Sequence, residues 1–404
     1  MQKSFSDRFD SWIFDSFHVS PGGLALFRIF TALMILFFLM PAESLFVTLG
    51  GLPDDFYNPP PGPIMLFSSF PPASFLLGVH ALLTGSLIAL LLGFYTRWSS
   101  LLTGILMLVL KGFIFSIGKI NHDLLISVVP VIFAFSSWGR VYSLDSWLSR
   151  NGETAGTGGD SPENDGAGTE LQADVAQAEP EKKTEQEKEE KTESWPFSLL
   201  ALFIGFMFFT AGFPKILGGW LNLSTQATRG HFFNQYLPKE RTDLMAEAAL
   251  GWDSMFFWEF LDIATIVFEV GFLLAIFHPR TTRLFICIAV VFHFSTMMIM
   301  NIAFLFNFIA YAAFLNWDWV NKKLETLLPH SGWYPFRGWI WGAGLGILFS
   351  AILAVSSQGV FIDQSDMISY EVIMLASAFV LAIYGLLSAV FRIGLFGKNP
   401  AESG

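Results

Sequence analysis

Long apolar runs separated by short polar breaks dominate the chain, at the length a bilayer requires of a crossing helix, about 20 residues. Ten candidate spans follow by that criterion, at approximately 23–42, 73–94, 98–117, 123–142, 195–217, 254–277, 282–300, 302–317, 337–357 and 368–394. The eighth is short and follows the seventh almost without a turn, so a re-entrant segment is an alternative there. The pattern predicts an all-α fold, a polytopic helix bundle in the membrane. Ahead of the first span, SFSDRFDSWIFDSF interleaves aromatic and charged residues without the core of a signal peptide, and reads as an interfacial amphipathic helix.

Residues 150–194 break the apolar pattern with Gly, Glu, Lys and Thr and almost no aromatics, a composition that cannot bury enough apolar surface to fold alone. The expected organisation is therefore 1–149, an interfacial helix and four spans; 150–194, an acidic tether; 195–320, four further spans; and 321–404, two spans and a short tail. Basic residues orient the bundle. With the N-terminus inside, outer segments hold only Lys119, Lys215, Arg229, Lys239 and Arg241, while the other loop Lys and Arg residues fall inside. Both termini are expected to be cytoplasmic, and the absence of a signal peptide together with compact loops leans towards a bacterial inner membrane.

Composition excludes several classes. Of 404 residues 53% are hydrophobic and 14% charged, and the single cysteine, Cys287, lies in an apolar run, so disulfide, thiolate-zinc and CxxC chemistry are ruled out. The net charge of -11 comes largely from the tether and scattered loop acids and gives no reason to expect nucleic acid. No metal-ligand spacing, nucleophile elbow or phosphate loop is present, and no metal site is expected.

Ionisable residues inside spans are costly and face the bundle interior. At about 1.5 Å per residue, His80, Lys111, Asp262 and His293 lie roughly 10 Å below the outer ends of their helices, with Lys119, His122, Lys215 and Glu259 at or just below the boundary. Glu259, Asp262 and Glu269 fall three and seven apart, on one helical face. Glu269 belongs to the inner half and is expected to pair with Arg28 at similar depth. For Glu259 and Asp262, proton handling and the capping of polar groups both remain open. Lys215, directly after Pro214 in FTAGFPKILGGW, reads equally as an interfacial lysine or as a functional amine, since desolvation turns a lysine towards a base.

Four stretches, LALFRIF (24–30), GFYTRWSSLL with GKINHDLL (93–125), TAGFPKILGGW (210–220) and VFHFSTMMIMNIAFLFNFIAY (291–311), resemble in order the HTTM family, the transmembrane domain shared with vitamin K-dependent gamma-carboxylases. The resemblance implies a lyase- or oxidoreductase-type membrane enzyme that couples oxygenation of a reduced vitamin K or menaquinol to carboxylation of an acceptor such as a protein glutamate. By motif match Lys215 is the base that deprotonates the quinol and His122 its partner, with His293, Asp262 and Trp220 lining the cofactor site. Where the carboxylases carry a large folded domain, this chain has two further apolar runs. SSWGRVYSLDSWL also resembles the DoxX-type membrane proteins. The alternative class is accordingly a non-enzymatic DoxX-like subunit, or a small-molecule binding or transport component.

Overall fold

The computed structural model describes residues 4–117, 123–149, 193–302, 304–327 and 370–391, the side chains of the last helix over 376–386. Most of the tether, Lys119, His122 and the ninth expected span lie outside these residues. Among the described residues the chain is helical, with no strand; a lone bridge joins Asn58 to Ile117.

An amphipathic helix α1 (Phe5–Asp15), opened by a Ser4–Asp7 capping box, precedes α2 (Pro21–Met34), which runs on as a π-helical turn over Ile35–Leu39. Then come α3 (Glu43–Leu49), α4 (Ala73–Leu92), α5 (Thr96–Phe115) and α6 (Leu125–Phe133). The second part holds α7 (Trp195–Leu217), α8 (Ala227–Tyr236), α9 (Ala246–Leu250), α10 (Met255–Ala275) and α11 (Pro279–Met300). It closes with α12 (Phe308–Ala312), α13 (Trp317–Leu327) and α14 (Tyr370–Phe391).

Among the described residues, five helices are long and apolar enough to cross a membrane: Pro21–Leu39, α4, α5, α7 and α11. Helix α10 has the length, 21 residues, but carries Glu259, Asp262 and Glu269. Its surface is inside out: Asp262 is 0% exposed and both glutamates are buried, whereas Val267 and Leu274 on the opposite side are 64% and 74% exposed. Water would reverse that arrangement; a hydrocarbon surround favours it.

Two expected crossings are not continuous helices. The fourth, 123–142, is the nine-residue α6 with Pro130 inside it, followed by turns. The eighth, 302–317, breaks after Asn301 takes a left-handed φ of 51°, passes a 3-10 turn at Leu305–Asn307 and enters the five-residue α12. Leu305, Asn307, Ile309 and Tyr311 are buried there, and irregular backbone at membrane depth is stable only when protein covers it.

One end of the bundle is locked by hydrogen bonds to free backbone groups. Arg28 donates to the carbonyls of Trp138 at 3.0 Å and Tyr142 at 2.5 Å. Asp145 accepts from the Tyr95 and Thr96 amides and the Thr96 hydroxyl, each at 2.8 Å, capping α5. Helix α1 lies across the same end: the Trp12 indole donates to the Ile276 carbonyl at 2.9 Å, and Ser198 donates to the carbonyls of Trp12 and Ile13. Between these groups the rings of Phe27, Phe133, Phe197 and Phe314 interlock, Phe133 meeting Phe27 and Phe197 edge-on at 5.1 Å.

The expected Arg28–Glu269 pair is not formed. Depth counting treated α7 and α10 as level, but α10 extends well past the end of α7. A methyl at Gly205 would meet Ile276, and one at Gly212 would meet the Glu269 Cβ at 2.7 Å. Glu269 thus lies only about one turn below Lys215 and pairs with it.

Gly212→Ala should therefore push α7 from α10 and cost about 1–3 kcal/mol. A thermal melt of the detergent-solubilised variant reads the loss, and an unchanged midpoint would mean that the seam is not tight.

Candidate functional site

Lys215 sits in the last turn of α7, where the helix dipole favours a cation. Pro214 is tolerated inside that turn, and its carbonyl accepts from the Gly218 amide at 2.8 Å as the helix ends. Gly219 then takes φ 83°, a left-handed value that a side chain would strain, and the chain reverses so that the Trp220 amide donates to the Lys215 carbonyl at 3.1 Å. The glycine pair in KILGGW thereby folds Trp220 back over the lysine, with Lys215 Nζ 5.1 Å from the indole centroid.

Lys215 Nζ donates to both oxygens of Glu269, at 2.5 and 2.6 Å. The partners differ in access: the Glu269 side chain is 5% exposed, the Lys215 side chain 24%. Gly212 creates the space that the carboxylate occupies, since any Cβ there would crowd it. His231 of α8 also stands against Trp220, its ring centroid 5.4 Å from the indole. The site therefore combines a buried carboxylate, an accessible ammonium, an indole and an imidazole.

The other two carboxylates of the stripe hold α8 in place. Asp262 accepts from the Ala227 and Thr228 amides, both at 2.7 Å, and Glu259 Oε1 accepts from the Gln226 amide at 2.9 Å. Free amides at a helix start favour carboxylates, and the left-handed φ of 44° at Gln226 turns three successive ones towards α10. Of the two readings left open for Asp262, capping accounts for both its oxygens. Glu259 Oε2 has no hydrogen-bond partner among the described residues. Phe232 and Trp258 stack at 5.9 Å beneath α8 and, with Ala246 and Ala249, form a small apolar core.

The remaining ionisable groups are dispersed. His293 Nε2 lies 2.9 Å from the Tyr311 hydroxyl, with the ring stacked 4.4 Å from Phe304, in an aromatic cluster that includes Phe208. Lys111 donates to Asp123 at 3.1 Å and lies 3.7 Å from the Phe306 centroid. His80 Nε2 lies 3.1 Å from the Pro41 carbonyl, and Glu43 is 3.8 Å from its other nitrogen. His122 lies outside the described residues. The structure places Trp220, Glu269 and His231 around Lys215 or its indole neighbour. The carboxylate stripe marked Glu269 but not its partner, and ATRGHFF carries no spacing that would single out His231.

Partial burial holds the His231 pKa below its ordinary value of 6.5; Lys215 and Lys239 add to this, and Asp262 opposes it. These influences disfavour the imidazolium. The sign follows directly: for a histidine depressed on folding, its stabilising contribution is full above pH 6.5 and is lost as the pH falls towards the folded value.

No group of three or more His, Cys, Asp or Glu able to hold a metal occurs among the described residues. The chain matches no protein-family model, no curated protein and no solved structure.

Two outcomes check this geometry. Lys239→Gln should raise the His231 pKa, read from the imidazole proton shifts in a pH titration, and a fall would contradict the assigned electrostatics. Asp262→Ala should cost about 1–2 kcal/mol as two capped amides lose their acceptor. Amide exchange should then accelerate in 226–236 while the centre of α7 stays protected.

Proposed function

We propose that this chain is an integral membrane enzyme that transfers a proton from the hydroxyl of a quinol-type substrate, with Lys215 as the base and Glu269 as its proton store. The observation that carries the reading is the asymmetric pair: an ammonium held by both oxygens of a buried carboxylate while a quarter of the lysine side chain remains accessible beside an indole face. A purely structural cross-link requires no accessible side and no aromatic wall.

The chemistry balances within the pair. Passing one Lys215 proton to Glu269 gives a neutral amine and a neutral acid, and a low-dielectric site tolerates that state well. The amine then takes the hydroxyl proton, and the pair, now carrying one positive charge, sits beside the substrate oxyanion. A reduced menaquinone or vitamin K fits the groups present: Lys215 for the hydroxyl, Trp220 for the ring, and Leu217, 75% exposed at the end of α7, for the apolar tail. When bound, the quinol supplies the redox chemistry with oxygen that the side chains lack.

The HTTM resemblance supports this reading and suggests carboxylation or a related reaction of an acceptor. The wider proposal is a bundle of about ten spans, with both termini cytoplasmic in a bacterial inner membrane and the Lys215 end facing outwards. The competing class is a DoxX-like or transport component in which the pair only joins α7 to α10.

Lys215→Arg separates the two. Arginine preserves a bidentate carboxylate pair but cannot give up its proton. Oxygen uptake and quinone epoxide formation with reduced menaquinone should fall at least 100-fold in this variant, with little change in melting. Activity retained in Lys215→Arg, or none in the wild type, would remove the base from the account and favour the joining role.

A further inference from the structure

Beyond the lysine, the site continues along α8 as a row of nitrogen groups. His231 and Gln235 are four apart and share a face of that helix, and Lys239 Nζ lies 3.2 Å from Gln235 Oε1. Lys239 is thus drawn back to the turn that carries Gln235, and both Lys215 and Lys239 act electrostatically on the imidazole. The neighbouring charges are engaged, Glu259 through one oxygen only, on the Gln226 amide. Asp262 is taken by two amides, Glu269 by Lys215, and Arg229 pairs with Asp253 while also donating to Gln226. Arg241 donates to the Asn301 carbonyl. Around Trp220 the surface changes character: Leu217, Leu221 and Leu223 are exposed. Cationic nitrogens beside exposed leucines and an indole, at the end of a crossing helix, describe an interface that holds a charged head and an apolar tail together.

We propose that His231 and Lys239, with the field of Lys215 behind them, bind the phosphate of an amphipathic ligand, the leucines of residues 217–223 receiving its tail. A phosphate suits the groups: Lys239 contributes a point charge, and the imidazole donates once protonated. Binding and protonation are linked. Lys215 and Lys239 disfavour the imidazolium in the free protein, a bound anion offsets them, and complex formation takes up a proton at His231. Affinity is then highest at acid pH and falls as the pH rises through neutrality. Asp262 acts in the same sense as the ligand and cannot replace it, because its oxygens are held by backbone. The inference shares Lys215 with the proposed enzyme but does not depend on its acting as a base.

The test is calorimetric titration of the full-length protein in detergent, from about pH 5.5 to 8.5, with short-chain phosphatidylglycerol, whose charge is constant over that range. Short-chain phosphatidylcholine and inorganic phosphate are the comparison probes. The expected result is that phosphatidylglycerol binds more tightly than phosphatidylcholine, with proton uptake and affinity declining as pH rises. Lys239→Gln should weaken it about fivefold, the equivalent of one basic residue near an anionic surface, and His231→Gln should abolish the pH dependence while leaving melting unchanged. Inorganic phosphate binding as tightly as the lipid would assign the site to soluble phosphate and overturn the place given to the leucines. Equal binding of the two lipids, or a pH dependence that survives His231→Gln, would overturn the proposal. If the lipid binds as described but Lys215→Arg leaves quinol turnover intact, the phosphate site stands and the base does not.

Discussion

The contact between Lys215 and Glu269 sets the arrangement of the second half of the molecule. A carboxylate in a membrane helix needs a partner, because unpaired charge in hydrocarbon is costly, and the partner has to arrive at the right depth. Gly212 lets α7 close on α10 until the ammonium reaches both carboxylate oxygens. That register leaves the first turns of α10 projecting beyond the end of α7. Glu259 and Asp262 then stand clear of α7, and α8 folds onto them by its amides. The reversal at Gly219 and the position of Trp220 follow from where α7 stops. One ion pair therefore decides which groups surround the lysine.

The opposite end follows a different logic. Arg28 has no carboxylate in contact; it satisfies carbonyls left free after α6, and Asp145 satisfies amides at the start of α5. Charges there close helix termini, and α1 finishes the task with the Trp12 indole on the Ile276 carbonyl. One end uses its charges to close helix termini, and the other gathers accessible titratable groups around an indole.

Much of this was legible in the chain, and the failures are instructive. Helix length and apolarity located α4, α5, α7 and α11 to within a few residues, and the spacing of Glu259, Asp262 and Glu269 placed all three on the buried face, because periodicity is local information. The partner of Glu269 was misread because residue counting assumes that helices begin and end at common levels, and a small residue such as Gly212 shifts a register without altering hydropathy. The broken run after Asn301 passes for a span because buried irregular backbone is as apolar as helix. His231 was invisible: a histidine on a short polar helix gains its meaning only from the fold that sets it beside Trp220.

The central claim is that Glu269 receives a proton when Lys215 works, and infrared difference spectroscopy addresses that transfer most directly. Spectra recorded as reduced menaquinone is added anaerobically to the purified protein should show a new protonated-carboxyl band that disappears in Glu269→Gln. A difference spectrum without that band, or one in which the band persists in Glu269→Gln, would contradict the account and leave the pair as a fastening between two helices.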